Sequence, residues 1–347
     1  MKYGNVFTPT TLQAPGLPAA RGPLSAWVVE NLARPAHTVR TPPIASDDPL
    51  DGDDSALALY TLYELHYRSF AGVDDSWEWE PSLLAARRRL ERRFLRRLEE
   101  EMPKFDVTDD IPAQLVAMVS GEGGPSLSAY LAEEGTLDQL REYAVHRSAY
   151  QLKEADPHTW AIPRLYGAAK AALVEIQADE YGEGRERDMH QTLFGITLHE
   201  LGLDASYGAY LDALPGTTLA TTNLVSFFGL HRRWRGALVG HLAIFEMTSV
   251  EPMGRYSVAL RRHGFGSAAR HFYEVHVVAD AHHQKVAAYD MAGPLVRAEP
   301  ELARDVMFGA WAVTTVESRF SKAMREAWER GESSLRQPLP VVDLGVA

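Results

Sequence analysis

Read for the alternation of apolar and polar positions, the chain divides near residue 50. Beyond that point apolar residues recur at the three- and four-residue steps of a helix and seldom at the two-residue step of a strand. Between Ser82 and Met102, for example, Leu83, Leu84, Leu90, Phe94, Leu95 and Leu98 mark one helical face, with arginines between them. Further helices are predicted over about 111–119, 126–134, 136–155, 160–181, 187–202, 230–248, 267–291 and 298–330. Gly and Pro punctuate them at Gly123–Pro125, Asp156–Pro157, Gly182–Gly184, Pro215–Gly216, Pro252–Gly254 and Gly293–Pro294. A short strand near Val341–Val342 is the one exception. The expectation is an all-α bundle in four parts: an extended Pro-rich arm over residues 1–50, an N-terminal helical region over 51–135, a core over 136–330 and a C-terminal tail over 331–347.

Composition narrows the chemistry. The 347 residues are 46% hydrophobic, enough to close a large core. With 47 acidic against 35 basic residues the formal charge is −12, which argues against a nucleic-acid partner gripped through phosphates. The arginine-rich helix reads accordingly as a solvated face laced with i,i+4 Arg–Glu pairs. Cysteine is absent, so disulfides, thiolate zinc sites, Fe–S clusters and a cysteine nucleophile are excluded, and any metal must be held by His and carboxylates. The N-terminal residues lack an apolar signal core and no run approaches the roughly 20 apolar residues of a spanning helix, so no membrane association and a cytoplasmic location are expected.

The segment EVHVVADAHHQKVAAYD places His276, Asp280 and His283 at i, i+4 and i+7, on one helical face. Two imidazoles beside a carboxylate are unfavourable to bury without a partner, and iron, manganese or zinc suits that donor set. A solvent-facing polar stripe is the competing reading, countered by the flanking Val275, Val277, Val278, Ala279, Ala281, Val286 and Ala287. His282, one step off that face, reads as a surface or supporting residue. Upstream, KEADPHTWAIPRL supplies Glu154, EIQADEYGEG supplies Glu180, ERDMHQTLF supplies His190, and the apolar GALVGHLAIFEMTS carries Glu246. Each carboxylate alone could be satisfied by Arg or hydroxyl groups; a dication would offset the burial of several at once. His199-Glu200 begins like a zinc-protease motif, but position 203 is Leu, and no Glu-x-x-His pair of the ferritin type occurs.

These residues, in this order and with these gaps, resemble the haem-oxygenase-like diiron oxidases. LKEADPHTWAIPRL, EIQADEYGEG, NLVSFFGLHRRWRGALVGHLAIFEMTS and the EVHVVADAHH helix look like the actinobacterial iron-containing redox enzymes of that family, over roughly residues 136–330. The resemblance implies a haem-oxygenase-like helical bundle with an N-terminal helical extension. It also implies two irons held by Glu154, Glu180, His190, Glu246, His276, Asp280 and His283, which activate O2 through a peroxo-diiron(III) species with electrons from an external reductant or reductase. Glu154 stands where N-oxygenating members, such as the central domain of the streptozotocin-pathway N-nitrosating enzyme, carry an extra carboxylate. The implied activity is N-oxygenation of a small, amino-acid-like amine or guanidine in natural-product biosynthesis. No cupin-like segment follows the core, so an N-nitrosourea product is not part of the expectation. The alternatives are aliphatic desaturation or C–C fragmentation at the same site, and a non-catalytic iron-binding protein.

The substrate pocket is expected among Tyr181, Phe227, His231, Arg232 and Phe245, with Arg232, Arg235 or Arg255 available to a substrate carboxylate. Relatives pair through their N-terminal helices, so the resemblance also implies a homodimer.

Overall fold

A computed structural model describes residues 14–121 and 126–339. Helices occupy most of the described residues and no strand occurs among them; the strand expected near Val341–Val342 lies outside them. The order is α1 (Pro23–Leu32), α2 (Asp53–Glu64), α3 (Pro81–Glu101), α4 (Ile111–Val119), α5 (Leu127–Glu133), α6 (Leu137–Gln151), α7 (Asp156–Thr159), α8 (Gly167–Glu180) and α9 (His190–Glu200). It continues with α10 (Gly216–Leu230), α11 (Arg235–Thr248), α12 (Val250–Arg262) and α13 (Ser267–Lys285). A π-helical segment (Val286–Ala292) leads from there into α14 (Gly293–Ala298) and α15 (Ala303–Glu329). No described helix is long and apolar enough to cross a membrane.

Local chemistry accounts for several of these boundaries. Thr136 caps α6 by accepting from Gln139 N–H while the Gln139 side chain accepts from Thr136 N–H, a reciprocal capping box. In α3, Leu83, Leu90, Phe94 and Leu98 are buried, and the i,i+4 pairs expected from the charge pattern form at Arg87–Glu91 (3.1 Å) and Arg97–Glu101. The first pair is buried beside the leucines rather than lying on a solvated face, which corrects that part of the expectation. The arm expected to be extended over residues 1–50 is corrected in part. Pro23 opens a ten-residue helix that buries Leu24, Val28 and Leu32, four residues apart. Prolines on either side hide that short repeat in the sequence.

Two apolar clusters form the interior. One draws on α1, α2, α3, α4, α8, α10, α11 and the first half of α15; the other draws on α5, α6, α9, α12 and the first half of α13, with side chains of α2, α10 and the second half of α15. Phe272 and Tyr273 of α13 belong to the second cluster, whereas Val286 and Ala287 just beyond it belong to the first. The helix segment between them therefore crosses the junction of the two cores. At one wall of that junction α11 and α15 meet backbone to backbone. A Cβ on Gly240 would stand 1.9 Å from the Val306 carbonyl oxygen, and one on Gly309 1.9 Å from that of Ala237. Only glycine permits that approach.

Candidate metal centre

The turn after α6 carries Glu154 and is held on both sides. Lys153, only 1% exposed, donates from Nζ to Glu64 Oε2 of α2 at 2.8 Å. On the other side Ala155 adopts φ 76°, and its carbonyl accepts from Gln177 Nε2 at 3.2 Å. A non-glycine residue in the left-handed region is strained and persists where neighbours dictate it. Glu180 ends α8 and His190 opens α9. The link between them doubles back at Gly182 (φ 58°), where a Cβ would be 2.5 Å from the Asp188 carbonyl carbon. Glu246 comes from α11; His276, Asp280 and His283 come from α13.

All seven residues are buried, and they meet as two groups, Glu154–Glu180–His190–His276 and Glu246–Asp280–His283. Within each group one donor atom per residue lies within 4.8 Å of the others. Atoms bound about 2.0–2.2 Å from one ion are at most about 4.4 Å apart, so either group could close on a cation with a small contraction. The helical triad does not act as one unit: His276 serves the first group, Asp280 and His283 the second.

The hydrogen bonding fits metal occupancy. Among the described residues fourteen buried side-chain polar atoms have no hydrogen-bond partner, and seven of them are one atom from each of these residues. Buried polar atoms in native proteins are normally paired, so such a concentration calls for a partner absent from the polypeptide. His276 Nδ1–H donates to the Phe272 carbonyl at 2.7 Å and His283 Nε2–H donates to Asp179 Oδ2 at 2.9 Å. Each bond fixes a tautomer and leaves the other ring nitrogen, facing the carboxylates, with its lone pair free. Ser249 donates to Asp280 Oδ2 at 2.5 Å, leaving Oδ1 for the centre. Asp179 and Ser249 were not anticipated. Neither carries a sequence signal beyond adjacency to Glu180 and three-residue spacing from Glu246.

The electrostatics agree. Burial raises the Glu154 carboxyl and pushes that of Glu246 up to about 8. Burial would raise Glu180 as well, but His190, His276 and His283 outweigh it and hold the group at about 2. Burial opposes charge on the imidazoles, yet Glu154 lifts His276 to about 10, and Asp280, Glu246 and Asp179 lift His283 to about 11. The carboxylates thus draw protons into the site when no other positive charge is there.

Since groups with raised pKa hold protons at neutral pH, a metal must displace them, and binding weakens as pH falls. Titration calorimetry of Fe(II) into the metal-free protein in two buffers of different protonation enthalpy should show proton release and an affinity that drops between pH 8 and pH 6. A pH-independent affinity would count against these residues as ligands.

A cavity of about 710 Å³ reaches both groups. Leu242, Phe245, Met253 and Val313 supply apolar wall, and Tyr143, Tyr150, Gln151 and Thr314 supply polar groups. Of the residues expected to bind substrate only Phe245 lines it. Tyr181 donates to Asp156 Oδ1 at 2.8 Å, Phe227 packs on Phe94, His231 Nε2 pairs with Glu91 at 2.9 Å, and Arg232 is exposed outside the cavity. Arg235 and Arg255 pair with Glu299 and Glu251 and do not line it either. His282 sits outside on the surface, 2.9 Å from Glu175.

An all-helical bundle that buries two adjoining His/carboxylate groups under one cavity has the donor set of a metal-dependent oxidoreductase. The model of the iron-containing redox enzyme family matches residues 141–318, and the chain belongs to that haem-oxygenase-like family. A nitrosourea synthase from Streptomyces achromogenes subsp. streptozoticus is 26% identical over 190 residues, which cover 53% of this chain and 40% of that relative. The chain thus spans well under half the length of the curated relative it matches.

Proposed function

We propose that this protein is a non-haem diiron oxygenase that oxygenates the nitrogen of a small, amino-acid-like amine or guanidine. In this reading Glu154, Glu180, His190 and His276 hold one iron, and Glu246, Asp280 and His283 the other. The observation that carries it is the place of Glu154, a fourth residue in the first group where the remaining three would already suffice. Similarity to an enzyme named for making a nitrosourea supports it.

Two bound irons would supply the redox chemistry with O2, electrons coming from an external donor. The polypeptide contributes the rest. Four carboxylates supply negative charge that favours oxidised metal, Phe272 and Asp179 orient the imidazoles, and Ser249 restricts Asp280 to one free oxygen. The apolar wall of Leu242, Phe245 and Val313 limits water around the reacting atoms.

Glu154→Ala tests the reading. N-oxygenated product, followed by mass, is expected to fall by roughly ten- to a hundred-fold while the second group keeps its iron. Unchanged N-oxygenation would remove the argument from Glu154. Products of carbon–carbon cleavage or desaturation from the wild-type enzyme would replace the proposal with the aliphatic alternative.

A further inference from the structure

Helix α6 sends Tyr143, Arg147 and Gln151, four residues apart, into the wall of the cavity, and the chain then turns to Glu154. The charged members of this wall are already matched. Arg147 donates to both oxygens of Glu317, at 3.0 and 2.7 Å. Towards the mouth Lys322 stands 3.7 Å from Glu326 and Arg325 3.2 Å from Glu329. Gln151 differs. It is 4% exposed and its Oε1 has no hydrogen-bond partner. Outside the two metal groups, no other described cavity-lining residue has such an orphaned buried atom. A buried acceptor without a donor is unfavourable and is retained where something else supplies the donor.

We propose that Gln151 is the acceptor for the substrate's N–H, a specificity-determining contact that selects a nitrogen bearing hydrogen (a primary or secondary amine, or a guanidine) over a tertiary amine. The inference rests on the N-oxygenation reading and adds to it how the nitrogen is held. An amide oxygen takes one N–H and leaves the nitrogen lone pair free to face the metal groups three residues further along the chain. An aliphatic C–H presented at the same place would leave Oε1 unpaired.

The test uses the Fe(II)-loaded protein without oxygen, so that binding is read without turnover. Titration calorimetry with n-hexylamine, benzylamine, L-lysine and L-arginine is run on the wild type, Gln151→Met and Gln151→Glu. At least one amine should bind the wild type, lose roughly ten-fold or more in affinity with Gln151→Met, and regain it with Gln151→Glu, which restores an acceptor. Melting temperature and iron content of Gln151→Met should not fall, because the native acceptor has no protein partner to lose. Equal affinity in wild type and Gln151→Met, binding of none of the four amines, or iron loss from the variant would overturn the assignment. With oxygen and reductant added, N-oxygenated wild-type product alongside unchanged Gln151→Met affinity would sink the Gln151 contact alone. Carbon–carbon cleavage products would sink the parent reading instead.

Discussion

If each group holds one iron, as proposed, replacing His283 with Ala is expected to lower iron content from about two to about one per chain and turnover on the order of a thousand-fold. His283 is fully buried, its Nδ1 lies 3.3 Å from Glu246 and 3.6 Å from Asp280, and its other nitrogen is tied to Asp179. It is the only imidazole in the second group. Without it Glu246, which burial already pushes up to about 8, has lost its cationic neighbour and takes a proton more readily. The first group keeps all four of its members. Metal analysis with Mössbauer spectroscopy separates the outcomes: loss of one environment fits two groups, and loss of both would show that they fill as one. His282→Ala, next in the chain but on the surface, should change neither quantity.

Lys153→Met is expected to destabilise the fold by about 3–5 kcal/mol, because it leaves Glu64 buried without its cation. Both side chains are 1% exposed. The ammonium also lies 4.2 Å from the Tyr67 ring centroid and 5.0 Å from that of Tyr60. Glu64 would keep the Tyr207 hydroxyl, at 2.6 Å, and the Arg68 backbone N–H, at 3.4 Å, both neutral donors to the same oxygen, to stabilise its charge. Denaturant unfolding should show the loss, and adding Glu64→Leu should recover a good part of it, since a pair replaced by apolar groups is far less costly than a pair broken. Equal stability of the single and double variants would mean that the ion pair is not the source. Because Lys153 adjoins Glu154, iron affinity should follow the same order as stability.

Of the seven candidate metal-holding residues, His276, Asp280 and His283 could be picked out because α13 spaces them at helical steps amid apolar neighbours, and Glu154, Glu180, His190 and Glu246 because they fell into the order of a known family. The structure adds their division into two groups, which spacing along one helix does not reveal.

Helices α10 and α12 were not anticipated. In GTTLATTNLVSFFGL the Thr, Val and Gly residues are weak helix formers, and twelve of its fifteen residues are buried, which leaves no polar face to create a period. In VEPMGRYSVALRR, Pro252 and Gly254 read as a break. Pro252 falls in the first turn, where its missing N–H forfeits no helical hydrogen bond. The substrate wall was misjudged for a geometric reason. Tyr181 and Phe245 each adjoin a candidate ligand in sequence, yet only Phe245 lines the cavity: neighbours on a helix point about 100° apart, so adjacency alone says little about a shared cavity. Thr314 and Glu317, which do line it, come from α15, which carries no candidate ligand and whose link to the site is purely tertiary.

The glycine contact between α11 and α15 bears on how this enzyme could be redesigned. Helix α11 carries Glu246 as well as Leu242 and Phe245, and α15 faces the same cavity with Val313 and Thr314. With the backbones touching at Gly240 and Gly309, neither helix can move closer, and any side chain at those points would push Glu246 off its place. Reshaping for bulkier or slimmer substrates therefore has to work by trimming or extending individual side chains such as Leu242 and Val313. Libraries that spare both glycines should keep far more metallated, folded members than libraries that randomise them.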